Sequence, residues 1–237
     1  MWETVDPIVA WYRENKRDLP WRHDVTPYRV WVSEIMLQQT RVEAVKPYYD
    51  RFLKELPTIT DLANAKEDRL MKLWEGLGYY NRVRNMQKAA IQMVEQYGGQ
   101  FPESYEEIHA LKGIGNYTAG AIGSFAFGIP KPAVDGNVLR VVSRILASRE
   151  DIMKAKVRTE IETALEEVIP KDCPGDFNQG LIELGAIVCV PNGEPKVRDL
   201  SGSRDLPCQK RRNRNGASGQ NKSKGKKNRK EDGTCIS

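Results

Sequence analysis

Two carboxylates in this chain stand where an acid needs a reason to be. Glu34 falls inside Y-R-V-W-V-S-E-I-M-L-Q-Q-T, among Val30, Val32, Ile35, Met36 and Leu37. A carboxyl held among apolar side chains is pushed toward its protonated form, which is what a general acid requires. On the solvated edge of an amphipathic helix the same residue would be ordinary. Asp135 precedes the apolar helical pattern G-N-V-L-R-V-V-S-R-I-L. It reads as an N-cap worth about 1 kcal/mol, and the positive helix end keeps it ionised. Between the two acids runs L-K-G-I-G-N-Y-T, in which Gly113 and Gly115 flank one apolar residue and a helix begins at Asn116. Backbone N–H groups left bare there make an anion seat, with phosphate the expected anion. The plainer alternative is two helices joined by a glycine turn.

Smaller groupings sit in the connections. Trp21 and Arg22, in L-P-W-R, can line a pocket, the ring stacking on a planar ligand and the guanidinium donating hydrogen bonds; a buried tryptophan beside a surface arginine fits equally. Gln38 and Gln39 end the helix that carries Glu34, long polar side chains able to reach base edges or fill a gap in a stack. The loop G-L-G-Y-Y presents Tyr79 and Tyr80, rings that can wedge between base steps or merely pack the loop.

Helices must position these residues. Asp6-Pro7 predicts a first helix with an N-cap and an N1 proline, and Thr26-Pro27 a second, carried on through the glutamines. Further helices are expected at 41–56, 61–65 and 67–75, the last closed by Gly76, followed by a long one that stops at Gly98-Gly99. Ser104 and Glu107 make a capping box before the glycine hairpin. Small residues fill 116–127, and helices at 156–168 and 177–188 lead to Cys189. No period-two alternation appears in the first 190 residues, so the folded part is expected to be all-α.

Charge is unevenly spread over the 237 residues. Residues 1–196 hold 25 Lys and Arg against 28 Asp and Glu, a net of −3, whereas 197–237 hold 12 against 4, a net of +8. The basic character therefore belongs to the tail. No run of 18 apolar residues occurs and the chain opens directly into a helical pattern, so neither a membrane span nor a signal peptide is expected. A soluble intracellular protein follows, expected to be cytoplasmic and a monomer. Cys173, Cys189, Cys208 and Cys235 form no short metal-ligand pair, and reduced thiols are expected.

Taken together, W-V-S-E-I-M-L-Q-Q-T, W-E-G-L-G-Y-Y, L-K-G-I-G-N-Y-T, A-V-D-G-N-V and F-N-Q-G-L-I-E-L-G-A-I-V-C resemble the A/G-specific adenine DNA glycosylases of the helix-hairpin-helix superfamily, in order and spacing over residues 1–196. The resemblance implies a two-subdomain fold, one lobe over roughly 22–130 and the other from 1–21 plus 131–196. It also implies base-excision repair of double-stranded DNA at the nucleoid. An adenine mispaired with 8-oxoguanine or guanine is flipped out of the duplex and removed. Breaking an N-glycosidic bond passes through an oxocarbenium-like state, which calls for one carboxylic acid and one carboxylate. Glu34 would protonate the adenine and Asp135 would stabilise the cationic sugar. Relatives resembling endonuclease III carry lysine where this chain has Tyr117; a phenol forms no imine, so a monofunctional enzyme is expected, with Tyr117 hydrogen-bonding near Asp135. By motif position, Gln39 and Tyr79 enter the base stack, and Trp21, Arg22 and Gln179 surround the adenine. A mismatch thymine or uracil glycosylase of the same superfamily, and a catalytically dead DNA-binding remnant, are the competing readings.

The likeness stops after Lys196. The family pattern continues from Cys189 with three more cysteines that complete a 4Fe–4S site, and with a carboxy-terminal domain that checks for 8-oxoguanine. Here 197–237 contain no Phe, Trp or Tyr, the composition of a disordered basic segment or DNA-binding arm. A second reading is out-of-frame peptide. Val197, Leu200 and Leu206 can each end a codon in TG, and Arg198, Ser201 and Pro207 can each begin one with C or T. A one-base shift then spells cysteine at those three places behind Cys189. On that reading Cys189 is the one family cluster ligand still in place, the cluster is absent or incomplete, and activity and opposite-base discrimination are impaired.

Overall fold

The computed structural model describes residues 4–191, and within them the chain is helical throughout, with no strand. The disordered or out-of-frame tail expected over 197–237, with Cys208 and Cys235, lies outside the described residues. Helix α1 (Val5–Asn15) leads through a 3-10 turn (Pro20–Arg22) to α2 (Pro27–Leu37). Then come α3 (Val42–Glu55), α4 (Ile59–Asn64), α5 (Glu67–Trp74) and the long α6 (Asn81–Tyr97). The hairpin helices are α7 (Tyr105–Ala110) and α8 (Asn116–Ala126), followed by α9 (Gly136–Ile145), α10 (Ala155–Val168) and α11 (Pro174–Glu183). A π-turn, Leu184–Val188, extends α11 to Cys189.

Two apolar cores organise these elements. The larger is built from Leu19 to Ile122, around Trp31, Phe52, Trp74 and Met86. The second joins Val5, Ile8, Val9, Trp11 and Tyr12 of α1 to residues of α9, α10 and α11. Helix α8 touches both sides, packing on α2 and on α11. Glycines on α8 and α11 permit close approach there. A Cβ at Gly120 would stand 2.2 Å from the Pro132 carbonyl oxygen, and one at Gly175 would stand 2.8 Å from the Ser124 carbonyl oxygen. The buried Asn178 amide then pins the segment that leads to Asp135, donating to Ser124 Oγ (2.8 Å) and the Lys131 carbonyl (2.9 Å) and accepting from the Ala133 N–H (3.2 Å).

Several boundaries differ from the expected ones. Helix α1 starts at Val5 with Thr4 as N-cap, so Asp6 and Pro7 lie in the first turn instead of opening it. Helix α2 stops at Leu37, because Gln38 leaves helical geometry and Gln39 turns left-handed at φ +59°. At α7 the Ser104 hydroxyl accepts from the Glu107 N–H, but the return bond of the expected box runs from the hydroxyl itself to the Glu107 carboxylate. The complete box is at α4, between Thr58 and Asp61. Helix α11 begins three residues early because Pro174 supplies a first-turn proline. Thr26, Gly76 and Gly98 act as the sequence predicts: Thr26 caps α2, and the two glycines take positive φ past α5 and α6.

Candidate active site

Helix α2 carries Glu34 on the side that faces α8, and the residue is only 7% exposed. Of the two environments its sequence context allows, Glu34 occupies the buried one. Loss of water pushes its pKa up to about 7; a hydrogen bond from Tyr117 opposes that rise, and the charge of Asp135 adds to it. Tyr117 stands in the first turn of α8, and its hydroxyl donates to Glu34 Oε2 at 2.6 Å. The hydrogen bond expected near Asp135 goes to the acid on α2, with Asp135 close enough to act on the phenol electrostatically. Burial drives the phenol itself well above its ordinary range.

Asp135 is the N-cap of α9. Its Oδ1 accepts from the Val138 N–H at 2.8 Å and its Oδ2 from the Asn137 side-chain amide at 2.7 Å. These bonds favour the carboxylate, while burial works against them and moves its pKa upward. Asn137 in turn accepts from Arg140 (2.8 Å), which also donates to the Gly185 and Cys189 carbonyls at 2.8 Å each.

Glu34, Tyr117 and Asp135 open on one cavity of about 370 Å³, lined also by Trp21, Arg22, Gln39, Gln179 and Glu183. Trp21 packs edge-to-face on Tyr49, ring centroids 5.4 Å apart, and is buried. Arg22 is not a free surface cation. It lies 2.8 Å from Glu183, whose fully buried carboxylate also takes Arg17 at 2.7 Å. The two guanidinium groups outweigh the cost of burial and hold Glu183 near pKa 2. Gln179 accepts from the Tyr12 hydroxyl at 2.8 Å. Arg17, Asn137, Arg140 and Glu183 escaped the sequence reading. The signal for Glu183 was present, since it lies one helical turn (i, i+4) from Gln179 on the same face.

A second groove, about 340 Å³, adjoins the first and is lined by Gln38, Gln39, Tyr79, Tyr80, Asn81 and Arg82. Tyr79 is 66% exposed at its rim. The expected phosphate seat lies apart from both linings. Gly113 takes φ +79° with Asn85 filling the place of its missing side chain, Gly115 is the N-cap of α8, and the Asn116 side chain bonds His109 at 2.9 Å.

Cys189 does not fit a cluster site. Its sulfur accepts from the Arg144 guanidinium at 2.9 Å, and among the described residues no three His, Cys, Asp or Glu side chains are grouped to hold a metal. At 197, 200 and 206 the chain carries Val197, Leu200 and Leu206, which offer no thiolate. No helix among the described residues is long and apolar enough to cross a membrane.

Fold and site together define a helix-hairpin-helix protein built around a two-carboxylate pocket. Residues 32–171 match the HhH-GPD superfamily of base excision DNA repair proteins, and the chain belongs to that superfamily. It is 44% identical to the adenine DNA glycosylases of Mus musculus and Homo sapiens over 193 residues, 78% of this chain and 38% and 35% of those proteins. It is 40% identical to that of Buchnera aphidicola from Acyrthosiphon pisum over 184 residues, 53% of that protein. The chain thus spans between about a third and a half of the length of these relatives. Among solved structures, a thermostable thymine-DNA glycosylase superposes with a TM-score of 0.79 at 29% identity, covering 88% of this chain and 96% of that one. A trapped endonuclease III–DNA covalent intermediate shares the fold at 0.70 and 24% identity, covering 83% of this chain and 89% of that one.

Proposed function

We propose that this chain is a monofunctional DNA glycosylase that hydrolyses the N-glycosidic bond of adenine mispaired with 8-oxoguanine or guanine in double-stranded DNA. The observation that carries the reading is Glu34, desolvated to a pKa of about 7 in the same cavity as Asp135. At neutral pH a carboxyl so placed is protonated in a large share of molecules and is matched to proton transfer.

An adenine turned out of the stack into the cavity takes the Glu34 proton on its ring and becomes a leaving group. As the bond to C1′ lengthens, positive charge collects on the sugar, and the Asp135 carboxylate, oriented by Asn137 and the Val138 N–H, stabilises it. Water completes the hydrolysis. Arg22, Gln179 and Trp21 shape the chamber around the base, while Gln39 and Tyr79 enter the duplex at the neighbouring groove. Gly113, Gly115 and Asn116 hold a backbone phosphate at the start of α8. Tyr117 cannot form a Schiff base, so no strand cleavage accompanies base loss.

Supporting the adenine reading over a thymine or uracil glycosylase are the adenine-glycosylase relatives at 40–44% identity, against 29% for the thymine-DNA glycosylase. The test is single-turnover release of adenine from a duplex bearing one A·8-oxoguanine pair. Release that Glu34→Gln abolishes while duplex binding persists supports the proposal. No release by the unaltered protein, or a borohydride-trapped adduct with DNA, overturns it.

A further inference from the structure

Arg82 stands outside the chemistry above, yet it is the most heavily engaged guanidinium in the neighbouring groove. Its Nη1 donates to the Ile35 carbonyl at 2.7 Å and to the Gln38 carbonyl at 2.6 Å. Its Nη2 donates to the Leu77 carbonyl at 3.1 Å and the Gly78 carbonyl at 3.3 Å. The planar group also lies over the rings of Trp74 (5.4 Å) and Tyr79 (5.7 Å). One cation therefore gathers the last carbonyls of α2, where helical partners run out and the helix end is negative. It also gathers the carbonyls of a loop 40 residues further along the chain. Its Nε is buried without a partner, so the site is organised around the two forked nitrogens.

What these two loops display gives the clamp a purpose. Among the described residues only three non-glycine residues have positive φ, and two of them, Gln39 (+59°) and Tyr79 (+48°), directly follow the carbonyls that Arg82 holds at Gln38 and Gly78. Left-handed backbone at residues with a Cβ persists only when the surroundings over-determine it. Arg82 supplies that constraint on both sides of the groove at once.

We propose that Arg82 is the positioning residue of a two-part wedge. It fixes Gln39 and Tyr79 at a set spacing before DNA arrives, so that both enter the base stack together and the target base leaves it. This rests on the reading above that Gln39 and Tyr79 enter the stack. Lysine cannot substitute, because a point charge on a flexible stem cannot bond two loops with a planar fork.

The experiment uses protein carrying Glu34→Gln, so that no base is released, and a duplex with an A·8-oxoguanine pair and 2-aminopurine beside the adenine, which brightens on unstacking. Tyr79→Ala and Gln39→Ala should each lower the brightening. Arg82→Lys should lower it as much, and adding Arg82→Lys to the combined Tyr79→Ala Gln39→Ala protein should remove nothing more. With Glu34 restored, Arg82→Lys should slow single-turnover release about a hundredfold, the scale of an ångström misplacement. The near-UV circular dichroism of the protein should stay unchanged. If Tyr79→Ala and Gln39→Ala leave the brightening intact, the base-stack reading fails first. If they lower it and Arg82→Lys does not, or if Arg82→Lys adds to their loss, the positioning role alone fails. If Arg82→Lys and Arg82→Gln both lose the native spectrum, Arg82 is a folding determinant and the inference is overturned.

Discussion

The Tyr117 phenol donates a 2.6 Å hydrogen bond to Oε2 of Glu34 across 83 positions of sequence. A bond to the ionised form of an acid lowers its pKa, so Tyr117 works against burial and keeps Glu34 near neutrality. Without it the proton would be held more tightly.

Tyr117→Phe tests this. Release of adenine by the unaltered protein should decline as pH rises through about 7, where Glu34 gives up its proton. In Tyr117→Phe that decline should move to higher pH by about one unit, the equivalent of losing one hydrogen bond to a charged group. A single-turnover pH profile checks it, and an unmoved or acid-shifted limb would count against the assignment.

Glu34→Gln should trade function for stability. The folded carboxyl keeps its proton up to about 7, whereas the unfolded one releases it near 4.5. Between those values the folded state binds more protons, so stability falls as pH rises. Above pH 7 the charge costs about 3 kcal/mol. Glutamine carries no charge, so the variant should be more stable than the unaltered protein at pH 8.5, with the advantage shrinking toward pH 4.5. Denaturant titrations at the two pH values read this out.

Glu183→Gln should act in the opposite direction. Glu183 is held near pKa 2 by Arg17 and Arg22, so its contribution is present above the ordinary glutamate range and is lost as pH falls from 4.5 toward 2. Removing the charge strands Arg22 beside a neutral amide. A loss of about 3 kcal/mol at neutral pH is expected, at the low end for a broken buried pair because Arg17 keeps a third of its side chain in water. Chemical unfolding of the two proteins at pH 7 and pH 3 should show the gap narrowing in acid.

Gly185→Ala should disturb Asp135 from a distance. A Cβ there would stand 2.5 Å from Asn137 Cβ and 3.0 Å from its Cα, so the π-turn and the start of α9 must separate. Because Asn137 orients the Asp135 carboxylate, the rate of release should fall by more than the destabilisation of about 1–3 kcal/mol expected for overpacking would account for. Comparing single-turnover rates with melting temperatures separates the two effects.

Much of this was legible in the chain. Thr26-Pro27, Gly76, Gly98 and the run of small residues in α8 name their places because capping, positive φ and close packing each demand particular residue types. The apolar neighbours of Glu34 fitted both a buried acid and a solvated helix edge, and only the packing of α2 on α8 decides for burial. The partner of Tyr117 was not legible, because it depends on how α2 meets α8, which no local pattern encodes. Arg82 and Glu183 hid for the same reason: a charged residue in an amphipathic pattern looks like a solvated face until another element covers it. For Asp135 the cap was legible and the burial was not.

One consequence concerns the order in which the molecule comes into being. Helix α1 leaves the ribosome before α9, α10 and α11, yet its apolar face belongs to the core they share, and Tyr12 meets Gln179 across 167 positions. At ordinary translation speeds its docking surface follows on the order of ten seconds later. During that wait the larger core can assemble while Ile8, Val9, Trp11 and Tyr12 remain uncovered, so α1 is where the newborn chain is most prone to aggregation.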